Sequence, residues 1–409
     1  MRIGFAGHVS TESIQHLLDP VSDALPRGYY GAPLIGTLIS ELLRRGHEVF
    51  AYTTSSDMAP GQRITATGPR FKLTYCAARP RAFRYSNGQW GRAADGFSRE
   101  REALVRSMQE DAPDFVHAHW CYEFALAAID SGLPHIVTCH DAPHVVLNYS
   151  RDLYRLVRYL MARRVLRRAS HLTAVSPYLR DQLAGLARAP VTVVPNPLPD
   201  WTSHGERMHR LDPAAPRILT LLNGWGARKN PEAALRAFAR LRATCSGARL
   251  RMVGTDYEPG GRAEQWARAE GVAEGVDFVG SLPHDAVRAE LLAADVLLHP
   301  ALEETFGMAV AEAMSVGVPV VGGEGCGAVP WVVGEGGVIT DVRDPAAVAN
   351  ALAGLLSDAG THQRLAEAGR QACVRRFGMR QVVDAYETRY AEIVSAAGAA
   401  HDSVCVRSL

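Results

Sequence analysis

Lysine is nearly absent from this chain: of 44 basic residues only Lys72 and Lys229 are lysine, and all the others are arginine. Each lysine therefore marks a place where a compact, flexible point charge stands instead of the usual guanidinium. An excess charge of either sign is also missing, because the formal net charge is +1. Nothing in that balance points to bulk attraction to nucleic acid or to an acidic membrane, and neither is expected as a partner. No apolar run approaches the ~20 residues of a transmembrane helix. Met1-Arg-Ile-Gly-Phe-Ala-Gly7 turns polar too soon for a signal peptide and reads as a first β-strand. The seven cysteines are scattered without a Cys-x-x-Cys pair, which suits reduced thiols and a cytoplasmic location better than a disulfide framework.

What the chain does have is alternation. Strand-like runs at Arg2–Ala6, 47–52, 114–119, 135–138, 171–175 and 191–194 alternate with helical ones at 33–45 and 123–131. That pattern predicts a parallel sheet with helices on both faces. An aperiodic stretch from Pro197 follows, and the pattern restarts at Arg217 with strands at 217–222, 249–253, 277–279, 296–299, 318–321 and 337–339. Helices are expected at 345–357, 361–376 and 380–394, with a frayed tail from His401. At 409 residues the chain suffices for two domains, placed at 1–197 and 214–376, with a linker at 198–213 and a terminal segment at 377–409. Two doubly wound halves put a ligand at the carboxyl ends of the strands. A plain dinucleotide-binding dehydrogenase is disfavoured, because Gly4-Phe-Ala-Gly7 lacks the third glycine of Gly-x-Gly-x-x-Gly.

The stretch richest in chemistry is Glu304-Thr-Phe-Gly-Met-Ala-Val-Ala-Glu312. It reads as a helix with Thr305 as N-cap, Phe306 and Gly307 in the first turn and Glu312 about two turns in. Apolar neighbours on every side imply burial, and a lone buried carboxylate needs hydrogen-bond donors. A sugar diol supplies two. The amides of Phe306, Gly307 and Met308 form a seat for phosphate, with Glu304 just outside. Sugar, diphosphate and ribose together make a nucleotide sugar. The competing reading is a core helix whose Glu312 pairs with a buried arginine.

Glu-x7-Glu enclosing Phe-Gly, then Glu312-Ala-Met-x-x-Gly-x-Pro-Val-Val, resembles the donor-site motif of the retaining family-4 glycosyltransferases. The resemblance implies an α/β GT-B fold, two Rossmann-like domains facing across a cleft, and a last helix that crosses back to the first domain. It also implies transfer of a sugar from a nucleotide diphosphate, with uridine as the expected base, to a hydroxyl of a small soluble acceptor such as a sugar, cyclitol or natural-product scaffold. Within it, Glu312 holds the ribose and Glu304 the sugar. In Leu222-Asn-Gly-Trp-Gly-Ala-Arg-Lys-Asn230, Lys229 takes the diphosphate, with Arg228 substituting for an arginine expected where Gly224 or Trp225 stands. Thr138-Cys-His140-Asp141 resembles the element whose histidine contacts the donor sugar. Gly31 is the candidate for the glycine that approaches the phosphates, while Tyr29 and Tyr30 line the acceptor site or belong to the core.

No Asp-x-Asp triplet is present, so the usual metal clamp for a diphosphate is missing and no metal or other cofactor is expected. His117 and His119 form a His-x-His pair, but no further ligands accompany them. The Arg151–Arg168 segment carries seven arginines among leucines; a solvated face on a packed helix is favoured over membrane attachment. A sugar phosphorylase and a sugar-nucleotide epimerase share the expected architecture and stand as alternatives, as does a lectin that binds sugar without nucleotide.

Overall fold

A computed structural model describes residues 1–20, 25–29, 33–86, 88–198 and 211–407. Contacts divide the chain into two compact units, Met1–Pro199 with Met379–Leu409, and Asp200–Gly378. Most of the linker expected at 198–213, with Gly31 and Tyr30, lies outside the described residues.

The first unit is built on a sheet of β1 (Arg2–Ala6), β2 (Glu48–Ser55), β3 (Arg63–Gly68), β4 (Phe71–Ala77), β7 (Phe115–His119), β8 (His135–Cys139), β9 (Leu172–Ala174) and β10 (Val191–Val193). A small hairpin of β5 (Tyr85–Ser86) and β6 (Gln89–Trp90) stands apart from it. The sheet order is β10-β9-β8-β7-β1-β2-β4-β3. All pairings are parallel except β3 on β4. Chain order runs outward from β1 in one direction to β2 and β4, and from β7 in the other to β10. The order therefore reverses between β1 and β7, and a crevice at their carboxyl ends is the expected ligand position.

Strands β3 and β4 and the helix Ser98–Asp111 were not expected from the sequence. β3 is an antiparallel edge whose residues are exposed or half-buried, so it lacks the apolar run of its buried neighbours. The last helix, Met379–Arg407, is longer than expected and stays helical where a frayed tail was predicted. It joins the core of the first unit through Val382, Val383, Tyr386, Tyr390 and Ile393. Arg45 fastens its start with ion pairs to Asp384 at 2.5 Å and Glu387 at 2.6 Å.

The second unit contains β11 (Arg217–Leu221), β12 (Arg249–Val253), β13 (Val276–Gly280), β14 (Val296–His299), β15 (Val320–Gly323) and β16 (Gly337–Thr340). They are all parallel, in the order β13-β12-β11-β14-β15-β16. This is the 3-2-1-4-5-6 order of dinucleotide-binding sheets, with its reversal between β11 and β14. Its core gathers Phe238, Leu250, Leu298, Val321 and Leu352 from strands and covering helices.

Candidate active site

In the second unit the loops after β11 and β14 emerge side by side at the reversal point. The first carries Arg228 and Lys229, the second Glu303 and Glu304. Leu302 donates its amide to the Arg228 carbonyl at 2.8 Å, which fastens one loop to the other. Asn230 precedes the helix Pro231–Thr244 at its N-cap position, yet its side chain does not cap. The Asn230 amide instead donates to the Pro300 carbonyl at 3.1 Å and the Val342 carbonyl at 2.9 Å. Lys229 is thus flanked by a backbone bond at Arg228 and by side-chain bonds from Asn230.

The Lys229 ammonium is hydrogen-bonded to Glu304. Arg228 pairs with Glu303 at 3.0 Å. His299, the last residue of β14, lies 3.6 Å from the Glu304 carboxylate. Burial alone would raise the Glu304 carboxyl, but His299 and Lys229 outweigh it and hold the group well below the usual carboxylate range. Glu303 goes the other way: burial pushes it up, and Arg228 only partly opposes this. Its Oε1 is buried without a hydrogen-bond partner, a costly arrangement that a ligand's hydroxyl would relieve.

The helix bearing Glu312 begins later than the sequence suggested. It spans Met308–Ser315, and Gly307 is its N-cap with φ of 90°. That left-handed conformation rules out Thr305 as the cap and puts Phe306 outside the helix. Glu312 consequently sits little more than one turn in. The Phe306 ring packs edge-on against Phe377 at 5.2 Å and Trp331 at 6.3 Å, so only its backbone is available to a ligand. The amides of Met308 and Ala309 have no carbonyl four residues back within the helix and are the seat offered to phosphate. Glu312 is buried, as expected, but its neighbour is His284 at 3.5 Å and not an arginine. The nearby Glu312 carboxylate raises the His284 pKa against the opposing effect of burial.

Trp225, which occupies the place of the expected arginine, is a core residue beside Trp266 at 5.4 Å and Tyr257 at 6.1 Å. Arg228 is therefore the arginine that this loop presents.

At the reversal point of the first unit the groups are aromatic and mostly neutral. His119 Nδ1 and His140 Nε2 are 2.9 Å apart, and Trp120 lies 4.7 Å from the His140 ring. One imidazole must donate and the other accept, so the pair is held in complementary tautomers. Loss of water pushes His140 down to about 3 and His119 well below its usual value. His8, just after β1, stacks on the exposed Tyr29 ring at 4.4 Å and meets Trp120 at 5.0 Å. Burial lowers its pKa to about 4, against the pull of Glu123. Glu123 is itself paired with Arg158 at 2.7 Å, and Asp141 accepts from the Tyr122 hydroxyl at 2.7 Å. Tyr29 is thus a surface ring and not core.

His117 is not a metal ligand. Its Nδ1 meets the Tyr390 hydroxyl at 2.7 Å and its Nε2 the Thr138 hydroxyl at 2.8 Å, so both nitrogens are occupied. Among the described residues no group of three or more His, Cys, Asp or Glu side chains is placed to hold a metal ion. Six of the cysteines are free thiols.

Sequence reasoning did not single out His8, Trp120, Glu123, Arg158, His284, His299 or Glu303. Two of these carried a usable signal. His299 ends a buried strand immediately before the Glu304 loop, and Glu303 is a second carboxylate beside the first. The others are brought in by tertiary contacts.

Comparison with known proteins bears on the family and the fold. The family model for glycosyl transferases group 1 matches residues 212–372, and that for Glycosyltransferase Family 4 matches residues 34–200. The 2-deoxystreptamine N-acetyl-D-glucosaminyltransferase of Streptomyces fradiae is 28% identical, covering 86% of this chain and 88% of the relative. Among solved structures, sucrose-phosphate synthase from Thermosynechococcus elongatus superposes with a TM-score of 0.72 at 18% identity, covering 96% of this chain and 99% of that one. Anabaena HepE in complex with UDP and glucose gives 0.67 at 17% identity, covering 96% and 99%. The two family matches together cover most of both units, and the chain belongs to the family-4 glycosyltransferases of the GT-B fold.

Proposed function

We propose that this enzyme transfers a sugar from a uridine-diphosphate donor to a hydroxyl of a small polyhydroxylated acceptor, with retention of the anomeric configuration. The observation that carries the donor assignment is the meeting of Lys229 with Glu304 at the reversal point of the second sheet, beside the helix that bears Glu312. Glu312 accepts from the ribose diol, with His284 beside it at 3.5 Å. Glu304 and the Met308 and Ala309 amides address the sugar and phosphates. Lys229 and Arg228, exchanging their carboxylate partners for phosphate oxygens, neutralise the charge that grows on the departing diphosphate. With two cations in place the transfer needs no divalent metal. His140 is assigned to a sugar hydroxyl as a hydrogen-bond partner.

Uridine is supported by the UDP bound to HepE. The Streptomyces relative, named for 2-deoxystreptamine, supports a cyclic polyhydroxylated acceptor. Retention rests on the motif resemblance, and a cytoplasmic location on the free thiols.

Thermal denaturation with UDP, GDP, ADP and TDP, each with magnesium and with EDTA, tests the donor reading. UDP is expected to stabilise the protein in both conditions, by about 2.7 kcal/mol at a hundredfold excess over Kd. A shift with another diphosphate alone replaces uridine in the assignment. No shift with any of them removes the donor site from the second unit.

A further inference from the structure

The apolar stripe of the helix Leu153–Arg168 divides in two. Met161, Ala162, Val165 and Leu166 are buried. Leu153, Leu156 and Leu160, however, are 60%, 40% and 52% exposed. Spacings of three and four place these leucines on one face, and the next positions of that face are Arg164 and Arg167. Single exposed leucines need no explanation; a row of three does. The expectation of a polar, solvated face therefore fails for the first two turns.

The charge on this helix is as one-sided as its apolar row. It contains no acidic residue. Arg158 and Arg168 are engaged by Glu123 and Asp130. Arg155 and Arg163 lie over the rings of Tyr154 and Tyr159. Among the described residues neither these two nor Arg164 and Arg167 have a carboxylate partner. The β5–β6 hairpin is joined to the first turn of the helix through Arg81, whose guanidinium is 5.3 Å from the Tyr154 ring centre. Tyr85 and Trp90 on the hairpin are 62% and 61% exposed. A groove of about 1110 Å³ runs beside the hairpin and adds Arg84, Arg99 and Arg106 to its lining.

We propose that this face of the first unit docks on an anionic lipid surface. The leucines and the hairpin aromatics enter the boundary between headgroups and acyl chains, and the surrounding arginines meet headgroup phosphates. Alternative occupants match only half of the surface. A nucleic acid satisfies the guanidiniums and leaves the leucines in water. A second copy of the chain buries the leucines but sets arginine against arginine. An anionic lipid surface offers hydrocarbon and negative charge together. The net charge of +1 conceals this face; Glu100, Glu102 and Glu110 also line the groove, but Glu100 and Glu110 are taken up by Arg79 and Arg63.

The test is co-sedimentation of the full chain with vesicles of phosphatidylcholine alone and of phosphatidylcholine mixed with phosphatidylglycerol, at low and high salt. Binding is expected only to the mixed vesicles, and weaker at high salt. The double variant Leu156→Asp/Leu160→Asp is expected to lower partitioning on the order of tenfold or more, since it removes both inserted side chains and adds repulsive charge. Arg164→Gln/Arg167→Gln is expected to abolish the preference for phosphatidylglycerol. The altered side chains are exposed, so circular dichroism and the nucleotide-induced thermal shift should match the parent in both variants. Three results overturn the proposal: no sedimentation with either vesicle, equal sedimentation with both, or parent-like binding by the leucine variant. A dimer in solution that the leucine variant dissociates overturns it too, by showing that a second copy covers the face.

Discussion

At the reversal point of the second sheet Lys229 and Glu304 meet as ions, whereas at that of the first His119 and His140 meet as neutral rings. The two crevices share a topology and differ in electrostatics. Ions held in place before the substrate arrives suit a step in which charge moves onto a diphosphate. Neutral donors and acceptors between aromatic faces suit hydroxyl-rich molecules whose charge does not change. One architecture thus divides the work by changing what its loops carry, not how its strands are ordered.

The sharpest way to break that comparison is to remove the ion from one side and the ring from the other. Lys229→Ala should lower turnover roughly 100-fold, about 3 kcal/mol of barrier, and leave Glu304 without its cation. His140→Ala should cost about tenfold, the scale of one neutral hydrogen bond, and leave the UDP-induced thermal shift unchanged. Steady-state kinetics on both variants decides. A greater loss for His140→Ala than for Lys229→Ala would reverse the assignment of charge work to the second unit.

Acid separates the units next. His117 is fully buried, and the loss of water lowers its pKa to about 3 in the fold, from an ordinary 6.5. Between those values the unfolded chain binds the extra proton, so stability falls as pH drops below 6.5, by roughly 1.4 kcal/mol for each pH unit. At pH 5 His117 alone removes about 2 kcal/mol. His140, lowered to about 3, adds to the loss in the same direction. Glu304 behaves differently: its pKa is held below the ordinary 4.5, so its contribution is intact above that value and is lost only in stronger acid. Hydrogen exchange at pH 5 and 7, corrected for intrinsic rates, should show β7 and β8 losing protection at the lower pH while β11 and β14 keep theirs. Equal loss in both sheets would mean that the histidine cluster does not set the acid limit of the first unit.

Glu312→Gln acts on a single contact within the charged crevice. Weaker acceptance from the ribose should reduce UDP affinity about tenfold, or about 1.4 kcal/mol. His284 should also lose its raised pKa, because the Glu312 carboxylate is the main cause of that rise. Titration of the His284 ring by NMR reads the second effect independently of binding. An unaltered His284 titration would show that the 3.5 Å approach carries no interaction of consequence.

The two crevices were also unequally legible. The charged one announces itself, because a carboxylate within an apolar helix and a lysine in an arginine-dominated chain are locally anomalous. Glu304, Glu312 and Lys229 could be singled out from their local setting together with the motif resemblance. The helix start could not, since Gly307 adopts φ of 90° only in the folded loop. The neutral crevice has no such anomaly. Its members come from the ends of β1, β7 and β8 and from a distant helix, and histidine or tryptophan at a strand end is ordinary in any one place. The two histidines of the His-x-His pair, already set aside as a metal site, go to different partners. Tertiary packing gives His117 to Tyr390 and Thr138, and His119 to His140. The strand pattern was readable wherever burial on both faces made a run continuously apolar. It failed at β3, where one edge faces solvent.

The smallest expected effect asks whether the division among the first unit's histidines is real. Tyr390 reaches His117 from the C-terminal helix, and its ring lies in the core beside Phe115 at 4.6 Å. Tyr390→Phe keeps the ring and deletes one hydroxyl, leaving a buried imidazole nitrogen without a partner. The expected cost is about 1–2 kcal/mol of stability, measured by urea denaturation. UDP affinity and turnover should stay within about twofold, because His119 and His140 keep their mutual bond. If turnover instead drops tenfold at unchanged stability, His117 passes its orientation on to the neighbouring ring, 4.2 Å away. In that case the C-terminal helix, which otherwise serves as a buttress for the first sheet, positions the chemistry as well.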